Sequence, residues 1–153
     1  MHNYIFALGL GFIAGLRTFT APAAISWGAR MDMLALNGTP FSFMGSKIAV
    51  VIFTLLALGE YVGDLMPKTP NRTEPGPLVA RIISGGFCGI CIFASLHQSW
   101  IIGALFGGAG AVIGAFAGYH VRKALVETLK VKDAIIAIPE DLVAIGLAYL
   151  LIF

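Results

Sequence analysis

The sequence predicts an all-α, polytopic membrane helix bundle of about five segments, the first and last of them discontinuous. Three observations carry this. Of 153 residues, 58% are hydrophobic and 12% charged, whereas soluble domains average roughly 45–50% apolar and about 25% charged. Nineteen glycines suit membrane helices, in which Gly is commoner than in soluble ones. Apolar runs near the roughly 20 residues needed to cross the hydrocarbon core recur along the chain. A chain this short is a single domain, 1–153. Its apolar content exceeds what one small core can bury, so the lipid bilayer is its first expected partner.

The segments follow in order. The first runs from about Tyr4 to Trp27 and is interrupted in character by Arg17, Thr18, Thr20 and Pro22. Ala21-Pro22-Ala23 loosely resembles a signal-peptidase site, but no Lys or Arg precedes the apolar run, so it reads as an uncleaved membrane segment. Asn37-Gly38-Thr39-Pro40 is a turn signal in the loop that follows. The second segment runs from about Ser46 to Met66. The stretch from Pro67 to Pro77, with four prolines, cannot be helix and is the clearest loop in the chain. The third segment runs from about Leu78 to Leu96, and His97-Gln98-Ser99 makes a tight hairpin into the fourth, Trp100–His120. Val121–Asp133, with Arg122, Lys123, Lys130 and Lys132, reads as a short helical connector at the membrane surface. The last segment runs from about Ala134 to Phe153.

Basic residues set the orientation. With the start of the first segment cytoplasmic, Lys68, Arg72, Arg81, Arg122, Lys123, Lys130 and Lys132 fall on the cytoplasmic side, against Arg30 and Lys47 outside. This favours N-inside and C-outside. The alternative is that the first segment, interrupted at Arg17, does not fully span, which moves the N-terminal end to the other face.

Ionisable groups inside membrane segments are costly unless paired or hydrated, and so are the first place to look for function. Arg17, Glu60, Asp64, Arg81, Glu140 and Asp141 are the candidates. Glu60 and Asp64, four apart, share one helix face. Arg81 lies in the first turn of the next segment, and Glu140 and Asp141 near the start of the last. These five groups are expected to meet at one depth near the cytoplasmic face, as an ion, proton or anionic-headgroup site or as a salt-bridge knot locking helix ends. Arg17 lies some thirteen residues into its segment, deeper in the membrane. Pro22 cannot donate to residue 18, so the ladder is expected to break there, with Thr18 and Thr20 satisfying the freed backbone groups. Pro139, followed by Glu140 and Asp141, reads as a fresh helix N-terminus within the last segment. Broken membrane helices commonly line a cavity or a binding site.

Gly103, Gly107, Gly110, Gly114 and Gly118 form a close-packing ridge on the fourth segment. Its partner is either another copy, giving a homo-oligomer, another membrane subunit, or Gly85, Gly86 and Gly89 of the third segment. Cys88 and Cys91 match a redox or metal spacing, but His2, His97 and His120 are scattered, and both cysteines read as small apolar packing residues. No cofactor is expected. A net charge of +2 gives no footprint for nucleic acid, and no nucleophilic triad or P-loop is present, so no enzyme activity is expected. Gly11–Gly15 resembles Gly114–Gly118, a weak hint of an inverted repeat.

Gly15-Leu16-Arg17-Thr18-Phe19-Thr20-Ala21-Pro22, then Gly59-Glu60 with Asp64 and Pro67, then Arg81 with Gly85-Gly86, the glycine-rich fourth segment and Glu140-Asp141-Leu142-Val143-Ala144, resemble in this order the bacterial membrane family catalogued as domain of unknown function 4126. The resemblance covers essentially the whole chain. It implies a multi-pass protein of the bacterial cytoplasmic (inner) membrane, and it assigns no substrate or residue role. The expected function is that of a small channel, transporter, or binder of a small ion or lipid headgroup. The alternative is a non-catalytic accessory or assembly subunit of a larger membrane complex.

Overall fold

The computed structural model describes residues 2–66, 73–130 and 132–153. These residues form six α-helices and one 3-10 turn: α1 (His2–Leu16), α2 (Thr20–Arg30), the turn Ser42–Gly45, α3 (Lys47–Asp64), α4 (Pro75–Ser95), α5 (Trp100–Leu129) and α6 (Asp133–Ile152). No strand occurs among them. Three helices are long and apolar enough to cross a membrane: α4, α5 and the Ile135–Ile152 part of α6. α1 is apolar but has only 15 residues, about 22 Å of rise. α3 has 18 residues and carries Lys47, Glu60 and Asp64. Ile48 and Leu55 on α3, Ile83 on α4, Ile101 and Leu105 on α5, and Leu142 and Leu150 on α6 are all exposed. Water does not tolerate so much large apolar surface on a monomer. This is a membrane protein, and these faces meet lipid.

The centre of the bundle is α1, α4 and α5, packed through glycine. Gly85 and Gly89 of α4 lie against the carbonyls of Gly107 and Gly103 of α5. On its other side, α5 sets Gly110 and Gly114 against the carbonyls of Leu8 and Phe12, while Gly11 of α1 abuts Gly107. A Cβ at these positions would overlap backbone, so only glycine permits the approach. Helix–helix attraction in lipid comes from such close contact, since burying apolar surface gains little there. Gly103, Gly107, Gly110, Gly114 and Gly118 are all buried within one chain, so an assembly of copies must use other surfaces.

The contacts fix the helix directions. α4 and α5 are antiparallel across a hairpin whose His97 has φ +55° and whose Gln98 amide donates to the Phe93 carbonyl at 2.8 Å. Tyr4 meets Phe93 and Phe106 at ring distances of 5.4 and 5.0 Å near that hairpin. α1 therefore starts at the hairpin face and runs parallel to α5. α2 turns back: Thr20 meets Tyr61 and Trp27 meets Thr54, so α2 is antiparallel to α3 and returns to the hairpin face. There Phe41, in the following loop, packs 5.2 Å from Trp100. α1 and α2 are thus the two arms of a hairpin that enters and leaves by one face. α3, α5 and the start of α4 and α6 meet at the opposite end, where Lys123, Lys130 and Lys132 lie; it is called the basic face below.

Several expectations are corrected. The first and fourth segments run in the same direction, so they are no inverted pair, and a first segment crossing the bundle is replaced by the α1–α2 hairpin. The last segment is one helix with Pro139 inside it, not a discontinuous one; the fresh start expected at Glu140 does not occur, because the helix has already begun at Asp133. The expected connector after His120 is the continuation of α5, which ends at Lys130 in the left-handed conformation, φ +50°. Pro75, Gly76 and Pro77, expected as loop, form the first turn of α4, where the N–H groups that proline lacks would have had no partner. The loop expectation for residues 67–72 lies outside the described residues. The turn at residues 37–40 is present, with Gly38 at φ +83° and the Thr39 hydroxyl donating to the Leu36 carbonyl at 2.7 Å. Ser46 caps α3 by accepting from the Ala49 amide at 3.1 Å.

The glycine block carries a prediction. Gly107→Ala is expected to destabilise the protein by about 1–3 kcal/mol, the usual cost of overpacking, because its Cβ would meet the Gly85 backbone. Gly59→Ala, whose Cβ meets nothing, is expected to be neutral. Thermal denaturation of the detergent-solubilised variants checks both.

Candidate ion site

The site grows from the break between α1 and α2. The last regular bond of α1 is from the Arg17 amide to the Ile13 carbonyl, 2.7 Å. Pro22 has no N–H, and it sits in the first turn of α2 where none is needed. Between them, the Thr18 and Phe19 amides and the Gly15, Leu16 and Thr18 carbonyls need partners that a bilayer cannot supply. Side chains supply the partners. The Thr18 amide donates to Glu60 Oε1 at 2.8 Å and the Phe19 amide to Glu60 Oε2 at 2.9 Å. On the other side, Arg81 Nη1 donates to the Gly15 and Leu16 carbonyls, each at 2.7 Å, and Ser84 Oγ donates to the Thr18 carbonyl at 2.5 Å. A carboxylate thus meets the positive end of α2 and a guanidinium the negative end of α1, as the helix dipoles favour. Glu60 and Arg81 also face each other, Arg81 Nη2 lying 3.6 Å from Glu60 Oε1.

Beside this clamp lies a second set of charges. Arg17 is wholly buried. Its Nη1 lies 2.8 Å from Asp64 Oδ2, its Nε pairs with Asp141 Oδ1, and its Cζ sits 5.9 Å from the centre of the Tyr61 ring, at the edge of cation–π reach. Asp64 Oδ2 is shared with Arg122 Nη1 at 2.5 Å, and the same nitrogen lies 3.5 Å from Glu140 Oε2. Thr20 Oγ1 and the Tyr61 hydroxyl are 2.7 Å apart. Three arginines and four carboxylates from α3, α4, α5, α6 and the break therefore occupy one connected patch.

All eight candidates from the sequence (Arg17, Thr18, Thr20, Glu60, Asp64, Arg81, Glu140 and Asp141) come together here. Arg17 lies at the level of the acids, not deeper than they do. Thr18 takes part through its backbone, and the Thr20 hydroxyl goes to Tyr61; the expectation that the two threonine hydroxyls would satisfy the break is replaced by Glu60, Arg81 and Ser84. Sequence reasoning missed Arg122, Tyr61 and Ser84. Arg122 had a legible signal, since Gly114, Gly118 and Arg122 continue one row of a helix at steps of four. Tyr61 and Ser84 had none beyond lying next to Glu60 and three residues after Arg81.

Chemically, the carboxylates can take up a proton or a cation, and the guanidinium groups can hold an anion. Among the described residues no group of three or more His, Cys, Asp or Glu side chains is placed to hold a metal ion. Cys88 and Cys91 are free and buried in α4, away from these charges.

The fold and the site together define a helical membrane protein whose interrupted hairpin is fastened by ionisable side chains. The chain belongs to the family described as domain of unknown function 4126, whose model matches residues 5–153. No curated protein and no solved structure matches it.

Because Arg17 holds two carboxylates in a buried site, Arg17→Ala is expected to cost about 3–5 kcal/mol, the usual penalty for breaking one side of a buried ion pair. Asn3→Ala, which removes an exposed bond to Gln98, is expected to leave the denaturation midpoint nearly unchanged. Chemical denaturation of both variants in mixed micelles compares them.

Proposed function

We propose that the chain is a small transporter or channel for a small ion, working at the α1–α2 break and catalysing no reaction. One observation supports this above the rest. An interrupted hairpin that enters and leaves by one face is held at its tip by ionisable groups, Glu60 on the amides and Arg81 on the carbonyls. A bundle needing only stability is served by an unbroken helix, which satisfies its own backbone without charge. Half-helices meeting at a charged break are a recurrent way to bind ions within membranes.

The orientation follows from the same directions. We place the basic face in the cytoplasm, since among the described residues Arg81, Arg122, Lys123, Lys130 and Lys132 lie toward it and only Arg30 and Lys47 toward the hairpin face. α3, α4, α5 and α6 then cross the membrane, and both the His2 end of α1 and the Ile152 end of α6 lie outside. The family resemblance supports the bacterial cytoplasmic membrane as its place. Single cysteines at His2 and Lys123, in a chain whose buried Cys88 and Cys91 are replaced, test the orientation in intact cells. The expected result is labelling of the first and not the second by an impermeant maleimide.

Flux tests the function. Purified protein in liposomes is expected to pass protons, alkali cations or halide, and Glu60→Gln or Arg17→Ala is expected to bring flux to the level of empty liposomes. Flux that survives both substitutions overturns the site. A protein inert in liposomes that purifies with a stoichiometric foreign partner supports the accessory-subunit reading instead.

A further inference from the structure

We propose that a recess on the hairpin face binds the phosphate of a phospholipid headgroup. It lies at the opposite end of the bundle from the ion site and does not rest on the transport reading.

The recess forms where the turn at residues 37–40 meets the α4–α5 hairpin. Its volume is about 280 Å³, and Thr39, His97, Gln98 and Trp100 make its polar lining. Small-ligand sites begin near this size, at about 300 Å³. The depth in the membrane follows from α5. From Trp100 to Lys123 the helix rises about 34 Å, slightly more than the roughly 30 Å hydrocarbon core. With Lys123 at the basic surface, Trp100 lies at the other. Phe41 packs 5.2 Å from it there, and Phe43 is exposed. Aromatic side chains gather at headgroup level, so the recess opens among headgroups and not into hydrocarbon.

What it can hold is set by the polar groups still open in it. The Thr39 hydroxyl is spent: it donates to the Leu36 carbonyl at 2.7 Å and accepts from the Phe41 amide at 3.2 Å. Gln98 Oε1 accepts from Asn3 Nδ2 at 3.1 Å, which leaves the NH2 end of that amide. The Trp100 indole has an N–H and no acceptor, and an imidazole always carries at least one N–H. Neither ring hydrogen-bonds another described residue. The open groups are thus three donors, and among the described residues no carboxylate lines the recess. Its ligand must be rich in acceptors, and nothing in the lining repels an anion.

Two further observations agree. His97 has φ +55°, a region that glycine enters freely and other residues uncommonly. A chain with nineteen glycines nevertheless places an imidazole there, with no protein partner to offset the strain. A bound phosphate supplies that partner. Next along α5, Ile101 and Leu105 are 74% and 66% exposed. A headgroup in the recess leaves its acyl chains beside them, which favours a lipid over free phosphate.

Trp27 and Trp100 are the two tryptophans of the chain, so Trp27→Phe leaves Trp100 as the sole emitter, inside the site. This variant in a maltoside detergent is titrated with phosphatidylglycerol, and a saturable change in Trp100 emission is expected. Its half-point is expected to rise about tenfold with His97→Gly or Gln98→Ala, as for loss of one hydrogen bond to a charged acceptor. Lys123→Gln, at the other face, is expected to leave it unchanged. His97→Gly also frees the strained turn, so its denaturation temperature is expected not to fall, which separates lost binding from lost fold. Diacylglycerol with the same chains tests the phosphate, and inorganic phosphate tests the lipid. No saturable change, or one that diacylglycerol reproduces at the same concentration, overturns the proposal. A half-point indifferent to both His97→Gly and Gln98→Ala does so as well. Inorganic phosphate that saturates the site as tightly as the lipid makes free phosphate the occupant and overturns the lipid assignment.

Discussion

A helix that stops inside a membrane leaves amide and carbonyl groups with no water to turn to, and the whole arrangement of this protein answers that constraint at Arg17–Phe19. Glu60 takes the amides and Arg81 the carbonyls. Each is itself a charge that must be compensated, and they face each other across the break. The second group, Arg17 with Asp64, Asp141, Arg122 and Glu140, adds contributions from α5 and α6. Every helix of the chain is thereby committed to one small region, although the pairwise packing elsewhere differs greatly among them.

That difference divides the molecule. α1, α4 and α5 approach so closely that glycine is required at the nearest points of their crossings, which leaves little room for relative motion. α3 presents most of its length to lipid and is held mainly at its polar end. A rigid block and a loosely packed helix meeting at a charged seam form an arrangement in which a local change of charge can alter one contact and spare the rest.

Much of this was legible in the sequence. The break at Arg17–Pro22 could be read from a charge beside a proline, and the meeting of Glu60, Asp64, Arg81, Glu140 and Asp141 from their places near segment ends. The glycine ridge was legible as a packing face, though not its partner, because spacing by four describes one surface and says nothing of what lies against it. The direction of α2 was not fixed by sequence. A proline and two threonines mark where a ladder fails, but kinking onward and doubling back obey the same local rules, and tertiary contacts such as Thr20 with Tyr61 decide between them. Pro139 shows the opposite case. The same residue type that accompanies a break in the first segment is absorbed within α6.

The order of the chain gives the buried arginine a history. Arg17 is made early, but Asp64 and Asp141, its counter-charges, come from α3 and α6, and the α4–α5 surface that receives α1 comes between them. During synthesis the break gains Glu60 and Asp64 with α3 and Arg81 with α4, whereas Asp141, the second carboxylate on Arg17, comes only with α6. The pairing of Arg17 with both Asp64 and Asp141 therefore needs α3 and α6 together. A chain cut short before Asp141 would retain the glycine block and lack one of the two carboxylates on Arg17.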